Sequence, residues 1–118
     1  MAGYRDLKVW QIAIRLAEEI YRISARFPKH EVYGLAGQLR RSAISIPSSI
    51  AEGYGHGQGK NAAHYFDMAA GALAELETQV ILAQRLNYLT EEAIAPALGL
   101  ADEIGKMLKD QSITHSTI

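Results

Sequence analysis

The chain has 118 residues, 48% of them hydrophobic, with a net charge of −1 and no cysteine. That length suffices for one domain with a core of its own, without metal or disulfide, and the absence of cysteine excludes a disulfide framework and a thiol nucleophile. A near-neutral total carries no overall nucleic-acid signature, and no run approaches the ~20 apolar residues of a membrane span.

Met1 to Asp6 hold no apolar run of the signal-peptide kind, so the expected location is the cytoplasm. The first helix is predicted over residues 7–26, stopping before Pro28 because the residue preceding a proline avoids the helical region. Val9, Ile12, Leu16, Ile20, Ile23 and Phe27 form one apolar ridge, and Leu7, Trp10, Ile14, Ala17 and Tyr21 form a second. Together they cover about 200° of arc, twice the ~100° of an ordinary surface helix. Two readings of the second ridge stand: a wide core stripe, or contact with another subunit.

The second helix is predicted over 31–52, with Gly53 as its left-handed cap. Val32, Ala36, Leu39, Ala43, Ile46 and Ile50 make an apolar seam at alternating spacings of four and three. Gln38, Arg41, Ser45, Ser48 and Glu52 repeat beside it, about 100° round the helix. A merely solvated face is usually filled with Lys and Glu, whereas this stripe is mostly short neutral hydrogen-bonding groups. It is the candidate for a subunit contact. Pro47 removes one hydrogen bond from the helix interior, and a kink is expected there. Gly34 and Gly37 weaken the first turns.

The glycine-rich connection from Gly53 to Gly59 reads as a linker. A phosphate-loop pattern fails, since Tyr54 stands where its first glycine belongs and Asn61 where it needs Ser or Thr. The third helix is predicted over 61–87, with Ala62, Phe66, Ala69, Leu73, Leu76, Val80 and Ala83 as a bundle seam. Thr90 is the expected N-cap of a fourth helix over 91–110, with Ala97, Ala101, Ile104 and Leu108 inward and Pro96 disturbing its start. Residues 111–118 read as a frayed tail. Period-two alternation is absent, so the fold class is all-α: one domain over residues 1–118, an up-down-up-down antiparallel four-helix bundle.

Residues 1–60 hold nine Lys/Arg against five acids, and residues 61–118 hold three against eight. This segregation reads first as two halves packing against each other. For chemistry the chain offers little. His30, His56, His64 and His115 form no ligand set, and no Glu-x-x-His occurs, so neither metal nor cofactor is expected. Glu75 and Glu77 stand two apart and face different ways. Ser42, Ser45, Ser48 and Ser49 have no base nearby in sequence, which argues against a nucleophile. No catalytic residue is assigned. Arg40 and Arg41 point about 100° apart, and each suits a carboxylate clamp or a phosphate. The ion pair, with Glu31, Glu52 or a neighbouring chain, is the favoured reading.

The segments L-x-V-W-Q from Leu7, F-P-x-x-E from Phe27, G-L-x-x-Q-x-R-R from Gly34 and S-I-P-x-x-I-A-E-G from Ser45 resemble the bacterial four-helix-bundle proteins of the 23S rRNA intervening-sequence type. The similarity spans nearly the whole chain, departing at Ser49, where asparagine is common. The resemblance implies a four-helix bundle that assembles as a ring-like homopentamer, with an RNA or ribosome association inferred from gene location. A related bundle, the accessory protein of diversity-generating retroelements, binds a reverse transcriptase and nucleic acid through a basic pentamer, and this chain lacks that charge.

The sequence therefore points to a non-enzymatic homo-oligomeric scaffold or binding module whose partner is itself, pentamer favoured, with RNA or another protein as a further partner. Arg40, Arg41 and Lys60 are the candidates for RNA contact, clustered by assembly. An enzyme with a cleft beside Gln38, Arg41 and Glu52 ranks last.

Overall fold

The structure, a computed structural model, describes residues 3–109, and Asp110 and the tail at 111–118 lie outside the described residues. Four helices follow a short 3-10 turn at Tyr4–Asp6: α1 (Lys8–Ser24), α2 (Leu35–Gly55), α3 (Lys60–Arg85) and α4 (Glu91–Lys109). No strand occurs among the described residues. Contacts run α1 to α2, α2 to α3, α3 to α4 and α4 back to α1, so each helix touches two neighbours around one shared core.

Chain reach orders some of these neighbours. The five steps from Gly55 to Lys60 span at most about 18 Å, whereas α2 is about 31 Å long. Two helices in such long contact across so short a link must run in opposite directions. At the other side of α2, Arg40 lies against Ser24 and Tyr21 near the end of α1. The 3-10 turn that begins α1 touches α2 as well, so α1 lies along α2 in the opposite sense.

Helix ends depart from the sequence expectation for local reasons. α1 stops at Ser24, two residues before the expected end, as Arg26 and Phe27 donate to Ile23 and Ser24 in tight three-residue turns. α2 begins at Leu35 instead of residue 31, because Gly34 (φ −105°, ψ −118°) leaves the helical region and residues 29–31 form a separate 3-10 turn. Val32 is consequently 51% exposed and no member of the buried seam, which starts at Ala36.

Gly53 is not the cap of α2. It sits buried inside the helix, which runs on to Gly55, and the left-handed conformation falls at Gly57 (φ +73°). A Cβ on Gly53 would stand 2.5 Å from Cε1 of Phe66, so the missing side chain is what admits that ring. α2 also continues through the buried Pro47 without a break.

α3 covers 60–85 where 61–87 was expected. Its end is a complete Schellman arrangement: Asn87 is left-handed (φ 64°), Tyr88 N–H donates to the Ala83 carbonyl and Asn87 N–H to that of Gln84. Thr90 Oγ1 accepts from the N–H of Ala93 at 3.1 Å and caps α4. That helix runs through Pro96, where Glu92 and Pro96 are both exposed, so water can serve the carbonyl left without a partner.

The buried residues follow the seams: Val9, Ile12, Leu16, Ile20 and Ile23 from α1, Leu39, Ala43, Ile46 and Ile50 from α2, Leu73, Leu76 and Val80 from α3, and Ala97, Ala101 and Ile104 from α4. The segregated charges do not join the halves. Among the described residues the ion pairs are Arg22–Glu19 and Lys106–Asp102, each within one helix.

Gly53→Ala should lower stability by about 1–3 kcal/mol, because the added methyl must displace the Phe66 ring. Gly99→Ala, where a Cβ meets nothing within 4 Å, should raise it by up to about 1 kcal/mol. Urea denaturation of both variants checks the pair.

Candidate functional site

The polar stripe of α2 faces solvent. Gln38, Arg41, Ser48 and Glu52 are exposed and Ser45 is half-buried. Ser42, one position from the stripe, is buried and donates its hydroxyl to Gln79 Oε1 of α3 at 3.1 Å. That bond brings the flank of α2 to α3 and leaves a groove between them, lined by Gln38, Arg41, Ser42 and Ser45 on one wall and Met68, Gly71, Ala72 and Glu75 on the other. Ser49 is buried and is not part of the exposed stripe.

The two adjacent arginines have different fates. Arg40 Nε donates to Ser24 Oγ at 2.8 Å, its terminal nitrogen reaches the Tyr21 carbonyl at 3.4 Å, and its guanidinium lies 4.7 Å from the centre of the Tyr21 ring. It holds the end of α1 to the start of α2, and it does so through a hydroxyl, a carbonyl and a ring instead of the expected carboxylate. Among the described residues Arg41 forms no ion pair. It is exposed, and its terminal nitrogens lie back over Gly37, 3.5 and 3.8 Å from where a Cβ would be.

Glu31 is not clamped by arginine either. Its Oε1 accepts from the N–H of Leu35 at 2.9 Å, and its Oε2 accepts from the Tyr88 hydroxyl at 2.8 Å. The Leu35 N–H and then the Tyr88 hydroxyl hold the Glu31 carboxyl below its ordinary pKa, and the same bond holds the Tyr88 hydroxyl above its own. A carboxylate at the start of α2 also suits the positive end of the helix dipole. Phe27 packs on Tyr88 with ring centres 5.4 Å apart. The F-P-x-x-E segment therefore grips the turn between α3 and α4, a role its spacing alone does not disclose.

Lys60 opens α3 beside the glycine connection and is exposed. In the same region His56 stacks on Tyr65 (ring centres 5.0 Å apart, 10° between planes), and His64 meets that ring edge-on at 5.4 Å. No group of three potential metal ligands occurs among the described residues, and none of their helices is long and apolar enough to cross a membrane. Glu52 is exposed and does not line the α2/α3 groove, whose charged groups are Arg41 and Glu75. The structure thus brings Gln38, Arg41 and Ser45 together in one groove, ties Arg40 into the fold, and leaves Lys60 at the far end of α3.

The architecture defines the class: a small all-helical bundle whose second helix is anchored on both flanks and turns a sparsely charged polar stripe outward. The family model described as 23S rRNA-intervening sequence protein matches residues 5–110, and the chain belongs to that family. Comparison with curated proteins gave no match.

Two predictions test these anchors. The Glu31 contribution depends on its ionised form: it should be fully present above the unfolded pKa of about 4.3 and fade as pH falls below this, through the lowered folded value. The stability gap between wild type and Glu31→Gln, from urea melts across pH, should therefore narrow below about pH 4.3 and stay constant from there towards neutrality. Arg40→Ala should cost about 1–2 kcal/mol through the lost hydrogen bond and ring contact, while Arg41→Ala should stay within about 0.5 kcal/mol of wild type. Thermal melts of the two variants separate anchor from free surface.

Proposed function

We infer that this protein is a non-enzymatic, cytoplasmic binding module that assembles with copies of itself. The observation that carries the reading is uncovered apolar surface: Tyr21, Ile44, Met68, Ile81, Leu82 and Leu86 all stand 43–47% exposed, and Tyr33 stands 93% exposed. Scattered singly such residues are ordinary, but Ile81, Leu82 and Leu86 fall within two turns at the end of α3. The second ridge of α1 adds to this surface, as Trp10, Ile14 and Ala17 are only half-covered within the chain. A solvated helix face in a monomer is normally charged. Between Met68 and Leu82, Glu75 is the single charged residue among the exposed positions of α3. Sedimentation equilibrium should therefore return a mass of several chains, five being the number that the family resemblance implies. A mass of one chain at micromolar concentration would sink the reading.

A second reading, association with structured RNA, is favoured by Arg41 and Lys60, which are both exposed and pair with no acid among the described residues. Repetition by assembly would gather such isolated cations into a positive surface. Arg41→Ala and Lys60→Ala should each weaken binding to an rRNA fragment and lower the salt dependence by about one phosphate contact. Affinities that ignore salt and both substitutions would remove this reading.

A further inference from the structure

The connection from α1 to α2 encloses an apolar pocket that the bundle does not fill. Pro28 (φ −55°, ψ 145°) ends the turns that follow α1, and the chain returns to α2 leaving a hollow of about 370 Å³. Ala25, Phe27, Pro28, Val32 and Ala36 supply its apolar walls. The charged groups on its lining are Lys29 and Arg40, both cations, and among the described residues no acid lines it.

Arg40 is the unusual member. It is half-buried, and its bonds go to the Ser24 hydroxyl and the Tyr21 carbonyl, both neutral acceptors. Charges withdrawn from water are normally paired, yet among the described residues neither Arg40 nor Lys29 forms an ion pair. Glu31, the nearest acid in sequence, has its oxygens taken by the Leu35 N–H and the Tyr88 hydroxyl. Further guanidinium N–H donors of Arg40 therefore remain for an anion. The Tyr21 ring and the buried Ser24 hold that guanidinium in place before any ligand arrives. An apolar hollow whose charges are all positive selects a group that is apolar on one side and anionic on the other. Uncovered apolar surface continues past the pocket at Val32, 51% exposed, and Tyr33, 93% exposed. A single small acid would leave that surface bare, whereas a chain leading away from a terminal residue would cover it.

We propose that this pocket binds the free C-terminus of a partner polypeptide ending in an apolar residue. The terminal side chain packs against Phe27, Pro28 and Ala36, and the terminal carboxylate takes the remaining donors of Arg40 and the ammonium of Lys29. The planar guanidinium matches a carboxylate in geometry as well as charge. The preceding residues pass over Val32 and Tyr33. One copy of the chain makes the whole site, so the proposal does not rest on self-assembly.

Fluorescence anisotropy tests this with a short peptide that carries fluorescein at its N-terminus and ends in leucine with a free carboxyl group. The peptide should bind, and amidating its carboxyl group, or replacing the leucine by serine, should weaken binding about tenfold or more. Lys29→Ala and Val32→Glu, both at exposed positions, should weaken it several-fold, the second by setting an acid at the mouth of the pocket. Arg40→Gln should lose at least as much as amidation does, with helical melting to check that it is folded. Lys8→Gln, at the other end of α1, should bind as the wild type does. Equal affinity for acid and amide, no binding at millimolar peptide, or Lys29 and Val32 variants that bind like wild type overturn the proposal. A loss in Lys8→Gln as large as in Lys29→Ala also overturns it, by showing attraction to charge in general. Octanoate that displaces the labelled peptide as well as the unlabelled peptide does would assign the pocket to free acids and overturn the polypeptide partner.

Discussion

The Glu31 carboxylate is the junction on which the placement of the other parts depends. One oxygen takes the first N–H of α2, and the other takes the hydroxyl of Tyr88 from the turn between α3 and α4. A single side chain thereby starts one helix and fixes the end of another, across 57 positions of sequence. Gly34 makes the reach feasible, since a Cβ there would collide with Glu31 Oε1. Phe27 completes the grip by packing on the same tyrosine ring. Ionisation matters to this arrangement, because a protonated carboxyl would trade a charge-assisted bond for a weaker one and lose its favourable place at the helix start.

From that junction, α2 is held along its length by contacts of different kinds. Arg40 binds it to the end of α1, Ser42 to Gln79 in its middle, and Gly53 to Phe66 near its far end. Two of these depend on hydrogen-bond geometry and the third on a missing methyl group. Their combined effect is to fix which side of α2 is free. The exposed stripe of Gln38, Arg41, Ser48 and Glu52 is the side that no anchor uses. Its polar character and its availability thus have separate causes, one in residue choice and one in the anchoring of its neighbours.

Electrostatics supply the second organising constraint. A chain with a total charge near zero can still be strongly asymmetric, and here the asymmetry is not discharged inside the bundle. Exposed charges contribute little to the fold when paired locally in high dielectric. They act instead on orientation when two surfaces approach, where complementary fields steer encounter and matched ones oppose it. In the proposed assembly, the apolar side chains left uncovered on α1, α2 and α3 would supply the complementary driving force, which has no direction of its own.

Periodicity alone determined that this chain is four helices around one seam-built core, because burial of an apolar stripe at helical spacing is a local property of the residue pattern. The Thr90 cap was equally local and equally legible. Whatever depended on a distant partner was decided only by the tertiary structure. Gly53 resembled a terminator until Phe66 of the next helix explained its size, and Gly57 took the left-handed role. Asn87 carried a readable signal, as a residue tolerant of positive φ, for an end to α3 that the apolar spacing had overrun. Arg40 and Arg41 are adjacent and chemically identical, yet a turn of about 100° gives one to Ser24 and Tyr21 and the other to solvent. No spacing rule could assign those fates, since they follow from which neighbour the folded chain sets beside each side chain.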